Sequence, residues 1–198
     1  MACDITRARP LDCKDQVGGI KMVYFMQYDP TYYSKLDFNA TPATSEQIDG
    51  FDAAAAGTYE VFGYAVRQNT GAFTSTITAS PENGTTYFES VLNLTLNKLS
   101  VEDQKELRIL TYGRVITFVL DNQDNLWSIG WQYGCDVTGG TMVSGTAKGD
   151  MSGYTLDIRG QDRNMPYFLK KTTGSGVAKY PFDQMADVDD ISVTLTNS

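Results

Sequence analysis

The sequence predicts a mostly β protein: an antiparallel β-sandwich or partly closed barrel with one flanking α-helix at about residues 101–112. Only the stretch around those residues combines helical spacing with helix caps. On either side of it, apolar and polar residues alternate in runs of strand length. The 198 residues also include 12 Tyr, 9 Phe and 18 Gly, which favours strands joined by tight turns.

The predicted helix begins after Ser100, a favourable N-cap residue. Asp103, three residues later, can complete a capping box, and its charge suits the positive end of the helix dipole. Gly113 is predicted to end the helix as its C′ residue. The apolar face is predicted to include four side chains: Val101, Leu107, Ile109 and Leu110.

Four strands are predicted before the helix. Residues 20–28 (IKMVYFMQY) are almost continuously apolar, which indicates a strand buried on both faces. Residues 59–68 and 72–80 are predicted to form a hairpin, because the Asn-Thr-Gly between them is typical of a turn. Residues 85–99 predict a long amphipathic strand with three leucines on one face: Leu92, Leu94 and Leu96.

After the helix, residues 115–120 and 126–131 are predicted to form a hairpin around a polar turn at 121–125. Alternation places Trp127, Ile129 and Trp131 on one face of its second strand. Further strands are predicted at three places: 141–147, 154–160 and, after a loop-like region, 191–195.

Residues 29–57 follow no sustained pattern and are predicted to form a long loop. Such loops are uncommon in compact domains and usually contact a partner. Four aromatic residues are the ones expected to be buried at that subunit interface: Tyr32, Tyr33, Phe38 and Phe51. The alternative, that the loop folds back on its own domain, fits the sequence equally well.

The sequence contains no histidine, which excludes Ser-His-Asp and Cys-His nucleophiles and His-ligated zinc. Its net charge of −8 argues against a protein that grips nucleic acid, although nucleic acid could slide past such a surface without sticking. We therefore expect no enzyme activity, no catalytic residue, no cofactor and no metal site.

The three cysteines, Cys3, Cys13 and Cys135, do not have the number or spacing of a disulfide framework. The sequence also has no apolar signal segment and no run long enough to span a membrane. These features predict assembly in a reducing cytoplasm, without membrane contact.

Three segments carry a family resemblance: ACDITRARPLDCKDQVGGIKMVYF, TTYFESVLNLTLNKLSVEDQKELRILTYGR and DVTGGTMVSGTAKGDMSGYTLDIRGQ. In their order along the chain they resemble structural proteins of tailed bacteriophages. The similarity is greatest to the tail tube protein family, including tube-like virion proteins of marine and gut phages. It covers residues 2–168.

In that family a small β-sandwich or barrel carries one helix at its flank. Six copies form a ring whose hairpins join into a continuous inner β-barrel, and rings stack through a long loop and the termini. The resemblance implies a tube-like domain at 1–168, with an N-terminal arm, and a C-terminal extension or arm at 169–198. It also implies that the hairpin at 59–80 lines the channel, with three threonines facing the lumen: Thr74, Thr76 and Thr78.

The partners implied are copies of this chain in stacked hexameric rings, other tail or neck proteins, and DNA as non-specific cargo. The implied location is the virion tail, assembled in the host cytoplasm. A head–tail connector, a tail terminator and a capsid-decoration protein remain alternatives of the same class. An alternative of another class is a carbohydrate- or host-surface-binding module in which Trp127 and Trp131 stack on sugar.

Overall fold

The computed structural model describes residues 9, 14, 16–40, 46–51, 59–170, 180–185 and 191–194. Within them the chain forms twelve strands, one 3₁₀ helix and one α-helix, which confirms the predicted mostly β fold. The strands are β1 (Ile20–Gln27), β2 (Leu36–Phe38), β3 (Ile48–Phe51), β4 (Tyr59–Ala65), β5 (Gly71–Ser80), β6 (Thr85–Asn97), β7 (Val115–Asp121), β8 (Leu126–Ile129), β9 (Cys135–Val143), β10 (Gly153–Asp162), β11 (Tyr167–Phe168) and β12 (Ile191–Thr194). The 3₁₀ helix is Tyr32–Lys35, and helix α1 is Val101–Tyr112.

Ten of these strands form one sheet in the order β12-β4-β1-β7-β9-β10-β6-β5, with β8 paired to β7 and β11 to β8. All the pairings are antiparallel except that of β12 with β4. The sheet curls until a Cβ on Gly71 of β5 would lie 3.4 Å from the Ile20 side chain of β1. These two strands are not paired, so the fold is the predicted sandwich or partly open barrel and is not closed.

Strands β1 and β7 run side by side and are buried on both faces, as the apolar run at 20–28 predicted. Tyr24 and Met26 of β1 point into a first core, whereas Val23 and Phe25 point into a second core on the opposite face. Successive strand residues face opposite sides, so a strand can be apolar at every position only where both faces are covered.

The two cores are covered by different parts of the chain. The small β2–β3 sheet and residues near the C-terminus cover the first core, together with Trp131. Strands β6, β9 and β10 curl over the second core, and α1 adds Leu107 and Leu110 to it.

Helix α1 confirms the predicted start, because the Ser100 hydroxyl accepts a 3.0 Å hydrogen bond from the Asp103 backbone N–H. Its predicted apolar face is too wide: Val101 is 80% exposed and Ile109 54% exposed. The second core admits only one narrow side of the helix. Gly113 ends the helix in an extended conformation (φ −98°), so its role there does not require the left-handed backbone of a C′ glycine.

The predicted hairpin at 59–80 is wrong. Strand β4 pairs with β1 and β12, whereas β5 pairs with β6 at the far end of the sheet path. Asn69 does adopt the left-handed conformation expected of a turn (φ 63°). A tight turn reverses the chain direction but does not fix which strand pairs with which. Here the turn connects β4 and β5 across the gap where the curled sheet does not close.

Residues 29–57 are more ordered than predicted, because their described part contains the 3₁₀ helix and the β2–β3 sheet. The Tyr32 ring lies 5.1 Å from the Tyr59 ring, edge to face. The Tyr33 hydroxyl lies 3.3 Å from that of Tyr167. This part of the segment therefore folds back onto its own domain, which was the alternative open from the sequence.

The residues predicted to form a C-terminal extension or arm complete the first core instead, as far as they are described. Phe182 is fully buried and packs edge to face on Tyr24 and Phe118, with ring centroids 5.5 and 5.1 Å apart. Ile191 is 1% exposed, and its strand β12 pairs with β4. The sequence concealed this packing because the apolar residues are scattered between glycines and charges, with no strand or helix period.

Replacing Phe182 with Ala is expected to lower the free energy of unfolding by about 3–5 kcal/mol, because it removes a fully buried ring. Phe168→Ala is the matched control, since it deletes the same atoms from a side chain that is 52% exposed. Urea unfolding measures both. Equal losses in the two variants would contradict the assignment of residues 180–185 to the core.

Burial raises the pKa of the Tyr24 hydroxyl, because its phenolate would lie in the apolar first core. The unfolded chain ionises this group above about pH 10, so the folded state loses stability as the pH rises past that value. Tyr24→Phe is expected to make the loss shallower, by up to about 1.4 kcal/mol per pH unit at the alkaline end of the range. Urea unfolding between about pH 9 and 11 measures the slope. Tyr112→Phe, on a side chain 83% exposed, is the control, and a wild-type slope for Tyr24→Phe would refute the prediction.

Candidate functional site

Four neighbouring strands, β9, β10, β6 and β5, form one end of the sheet, and each pairs antiparallel with the next. One face of this unit packs on the second core through residues such as Leu92, Leu94 and Ile158. The opposite face points away from both cores. We call it the polar face.

The three threonines predicted to face a lumen, Thr74, Thr76 and Thr78, lie on the polar face and are exposed. On the neighbouring strand Thr76 stands opposite Glu89, and Thr74 stands opposite Val91. The three threonines share one face of β5, although β5 belongs to a different hairpin from the one predicted. That this face lines a lumen stays a prediction.

Two polar contacts join neighbouring strands on the polar face, one an ion pair and one a hydrogen bond from an amide to a carboxylate. Arg159 of β10 donates to Glu89 of β6 at 3.2 Å. The Asn93 amide donates to the carboxylate of Asp157, one pair further along the same two strands. Exposed contacts of this kind add little stability.

Among the residues that the structure describes, strand β5 forms a long free edge of the sheet. Its ten residues, GAFTSTITAS, contain no charge and no proline. All ten pair with β6 without a register shift, and no described residue outside β6 forms a backbone hydrogen bond to β5. Edge strands of stable monomers are usually short, bulged, charged or covered, so β5 lacks the common protections against pairing with another chain.

Strand β9 provides a second free edge on the other side of the four-stranded unit. Its pairing with β7 is confined to Cys135 and Val115. Beyond that point, through Val143, its described backbone pairs only with β10. The two free edges thus flank the four strands.

An exposed apolar side chain lies beside each free edge. Ile77 of β5 is 60% exposed, on the core-facing side where the hairpin runs past the second core. Met142 of β9 is 63% exposed and stands opposite Tyr154, a residue of the second core. Both side chains therefore point to the side that the sheet buries elsewhere.

A groove of about 940 Å³ opens at one end of the polar face, with Arg114, Arg159 and Arg163 among its lining residues. Its wall depends on Asp162, whose carboxylate accepts hydrogen bonds from the backbone N–H groups of Gly130 at 2.7 Å and Gln132 at 3.2 Å. Burial raises the pKa of this carboxyl, and the N–H donors only partly offset that effect. The groove also holds acidic side chains, so it is not a basic patch.

The aromatic residues predicted at a subunit interface lie apart from the polar face. Tyr32 and Tyr33 are half-buried against the first core of their own domain. Phe38 is 38% exposed, with its ring 5.2 Å from that of Tyr167. Phe51 belongs to β3, and its side chain lies outside the described part of the chain. The role of all four in subunit contacts stays a prediction.

The predicted Trp-Ile-Trp face is wrong. Strand β8 ends at Ile129, and Gly130 (φ +84°) turns Trp131 into the first core, where it is 1% exposed. Its indole N–H donates to the Ser128 hydroxyl at 2.7 Å. Trp127 and Trp131 therefore do not form a platform on which a sugar could stack. The prediction failed because it continued the alternation of side chains along the strand past Gly130, where the strand has already ended.

The sequence indicated edge strands without the usual protection by proline or lysine, but not which strands form the two free edges or which apolar side chains lie beside them. Ile77 stands out in the sequence as the only large aliphatic residue in a run of threonine, serine and alanine. Which strands lie at an edge depends on pairing between distant segments, and no local pattern reveals it. Among the described residues no group of three or more cysteine, aspartate and glutamate side chains is placed to share a metal ion.

Comparisons with protein-family models, with curated proteins and with solved structures gave no match for this chain. In the part of the chain that the structure describes, no helix has the length and apolarity needed to cross a membrane. The function is therefore inferred from the site itself and from the resemblance noted in the sequence.

Asp162→Ala is expected to lower the free energy of unfolding by about 1–3 kcal/mol, because it leaves buried N–H donors without an acceptor. Asp136→Ala, on an exposed side chain nearby, is the control and is expected to change stability by less than about 0.5 kcal/mol. Chemical denaturation compares the two. A neutral effect of Asp162→Ala would mean that the turn at Gly130 does not depend on this carboxylate.

Proposed function

We propose that the protein is a virion structural protein, a tail tube subunit of a tailed bacteriophage, whose copies form hexameric rings that stack around a channel for DNA. On this proposal it works in the virion tail, after assembly in the host cytoplasm, together with other tail or neck proteins. It has no catalytic role. The proposal rests on the resemblance of residues 2–168 to tail tube proteins and on the free edges of the four-stranded unit.

The observation that carries the proposal is the unprotected edge of β5. Ten regularly paired residues without charge or proline offer a full row of backbone groups to another strand. A free edge of this length would favour non-specific aggregation unless a defined partner covered it. Another copy of the same chain is the simplest partner, because each copy also carries a free edge on β9.

The number of strands between the two edges supports a ring. The four strands alternate in direction, so β5 runs opposite to β9. Copies related by rotation would therefore join β5 of one to β9 of the next in an antiparallel pair, which is the more stable arrangement. Such a head-to-tail contact closes into a ring when the rotation permits it, and closure removes every free edge of the unit.

The chemistry of the polar face suits the wall of a DNA channel. It would present Thr74, Thr76 and Thr78 together with the Arg159–Glu89 ion pair. A lining rich in lysine and arginine would bind the phosphate backbone and hold the DNA in place. The overall net charge of −8 acts in the same direction.

A connector, a tail terminator or a capsid-decoration protein would use the same edges without stacking into a tube. Electron microscopy of the assembled material distinguishes these roles, since single rings favour a connector or terminator and long tubes favour a tube subunit. The small β2–β3 sheet, with the half-exposed Phe38, is the part of the 29–57 segment that we assign to contacts between rings.

Ile77→Lys tests the proposal, because an inward-pointing lysine on an edge strand opposes pairing with another chain. The side chain is 60% exposed, so the monomer is expected to fold normally. Negative-stain electron microscopy should show rings or tubes for the wild type and none for Ile77→Lys.

Met165→Lys is the matched control, since Met165 is 59% exposed and lies outside the four-stranded unit. It should assemble like the wild type, and urea unfolding of both variants checks their folding. A wild-type protein that remains monomeric at high concentration, or an Ile77→Lys variant that assembles normally, would overturn the proposal.

A further inference from the structure

An aromatic pocket of about 570 Å³ opens beside the start of β5. We define it by the side chains of Phe73, Trp127 and Phe168, which form a continuous series with ring centroids 5.2 and 5.6 Å apart. Phe168 remains 52% exposed. The indole N–H of Trp127 is buried and has no hydrogen-bond partner among the described residues. Polar side chains such as Asp121 and Asn125 also line the pocket, which the described residues leave partly unfilled.

The pocket lies on the core-facing side of the sheet, next to the free edge of β5. Phe73 belongs to the core-facing side of β5 and packs against the second core. A strand added to this edge would direct every second side chain towards the aromatic pocket. Strand addition of this kind takes affinity from backbone hydrogen bonds and specificity from the pockets that receive alternate side chains.

The free edge of β9 carries a side chain that fits this pocket. Met142 is 63% exposed and core-facing, and it lines the groove between β9 and α1. Methionine is flexible and its sulfur makes favourable contacts with aromatic rings, so it suits an irregular aromatic cavity. Gly140 lies two residues away on the same side of β9. When Thr141 of one copy faces Thr74 of the next, Gly140 faces Ser75 and leaves room for it.

Strand geometry selects one register for the junction. Thr141 pairs with Thr155, and Thr155 pairs with Thr95, so these three residues are level across β9, β10 and β6. If the next copy were not shifted along the strands, its Thr141 would face residue 70, which lies outside β5. The shift of one copy along the strands must be an even number of residues, because only then does the polar side of one copy continue the polar side of the next. A stagger of four residues over the four strands places Thr141 opposite Thr74. This shift of one residue per strand is the one found in barrels whose strands tilt by about 36°.

We propose that β5 of one copy pairs with β9 of the next in the register that sets Thr74 opposite Thr141, so that Met142 fills the aromatic pocket of its neighbour. This inference rests on the proposed self-assembly and adds its residue-level contacts. Thr74 and Thr141 then continue the polar face across the junction. On the other side, Ile77 comes to lie over the groove of about 520 Å³ between α1 and β9 of the neighbouring copy.

Cysteine cross-linking tests the register. In the double variant T74C/T141C the two side chains are exposed on opposite edges of one molecule, so a disulfide can form only between copies. Directly opposed residues of an antiparallel pair lie close enough for a disulfide. Under mild oxidation the double variant should give a ladder of cross-linked oligomers on a non-reducing gel.

The control T78C/T141C separates the two positions by roughly 13 Å along the strand and should give no ladder. The wild type, with its three native cysteines, sets the background. A ladder from T78C/T141C, or none from T74C/T141C in assembled protein, would overturn the register.

Met142→Ser tests the filling of the pocket, with Met165→Ser as the control at a similar exposure of 59%. Loss of the buried thioether is expected to raise the concentration needed for assembly about tenfold or more in Met142→Ser alone. Light scattering measures that concentration. Equal behaviour of the two variants would overturn the inference.

The outcomes separate this inference from the proposed function. A wild type that does not assemble contradicts both. A wild type that assembles with no effect of Met142→Ser contradicts the pocket contact alone.

Residues 1–15 are the other candidate to fill the pocket, because Gln16 and Val17 line it. We would test this with a variant that lacks residues 1–15. If the Trp127 emission of its monomer is shifted to the red relative to the wild type, the pocket is assigned to that segment and the contact with Met142 is refuted.

Discussion

Burial of β1 and β7 on both faces is the constraint on which the rest of the structure depends. The two strands are apolar at nearly every position, so each needs a layer of chain above it and another below. The curled part of the sheet and helix α1 provide one layer, and the β2–β3 sheet with the C-terminal residues provides the other. Segments that lack any regular pattern, such as residues 180–185, are therefore as necessary to the fold as the long strands.

The same arrangement explains why the sheet has free edges. The curled sheet needs only part of β9, β10 and β6 to cover the second core, and these strands and β5 continue beyond it. Ile77 lies in the part that extends past the core and is exposed, whereas Met142 is exposed at the edge of the sheet beside Tyr154 of the second core. An apolar residue that is exposed singly is ordinary on a monomer. Two of them beside unprotected strand edges, one on each side of the same unit, have the arrangement expected of surfaces that meet between copies.

Polar and apolar chemistry are separated across the four-stranded unit. The polar face carries hydroxyl groups and paired charges, while the apolar side chains lie at the edges and beneath them. If copies join through the edges, the apolar groups become buried at the junctions and the polar face becomes continuous. A channel lined in this way offers DNA a hydrated wall without the clustered cations that bind phosphate. The proposed function thus rests on where each kind of side chain lies.

The sequence by itself determined what depends on neighbouring residues: the mostly β class, the start of α1 at Ser100, the buried run at β1 and the exposed threonines of β5. Each of these follows from a period or a cap that spans a few positions. Tertiary structure alone decided that β4 and β5 do not form a hairpin, that Trp131 turns into the first core after Gly130, and that Phe182 completes that core. It also decided which strands are edges and therefore where other copies could bind. Strand order is set by contacts between residues far apart in the chain, and local periodicity is the same whether a strand is central or at an edge.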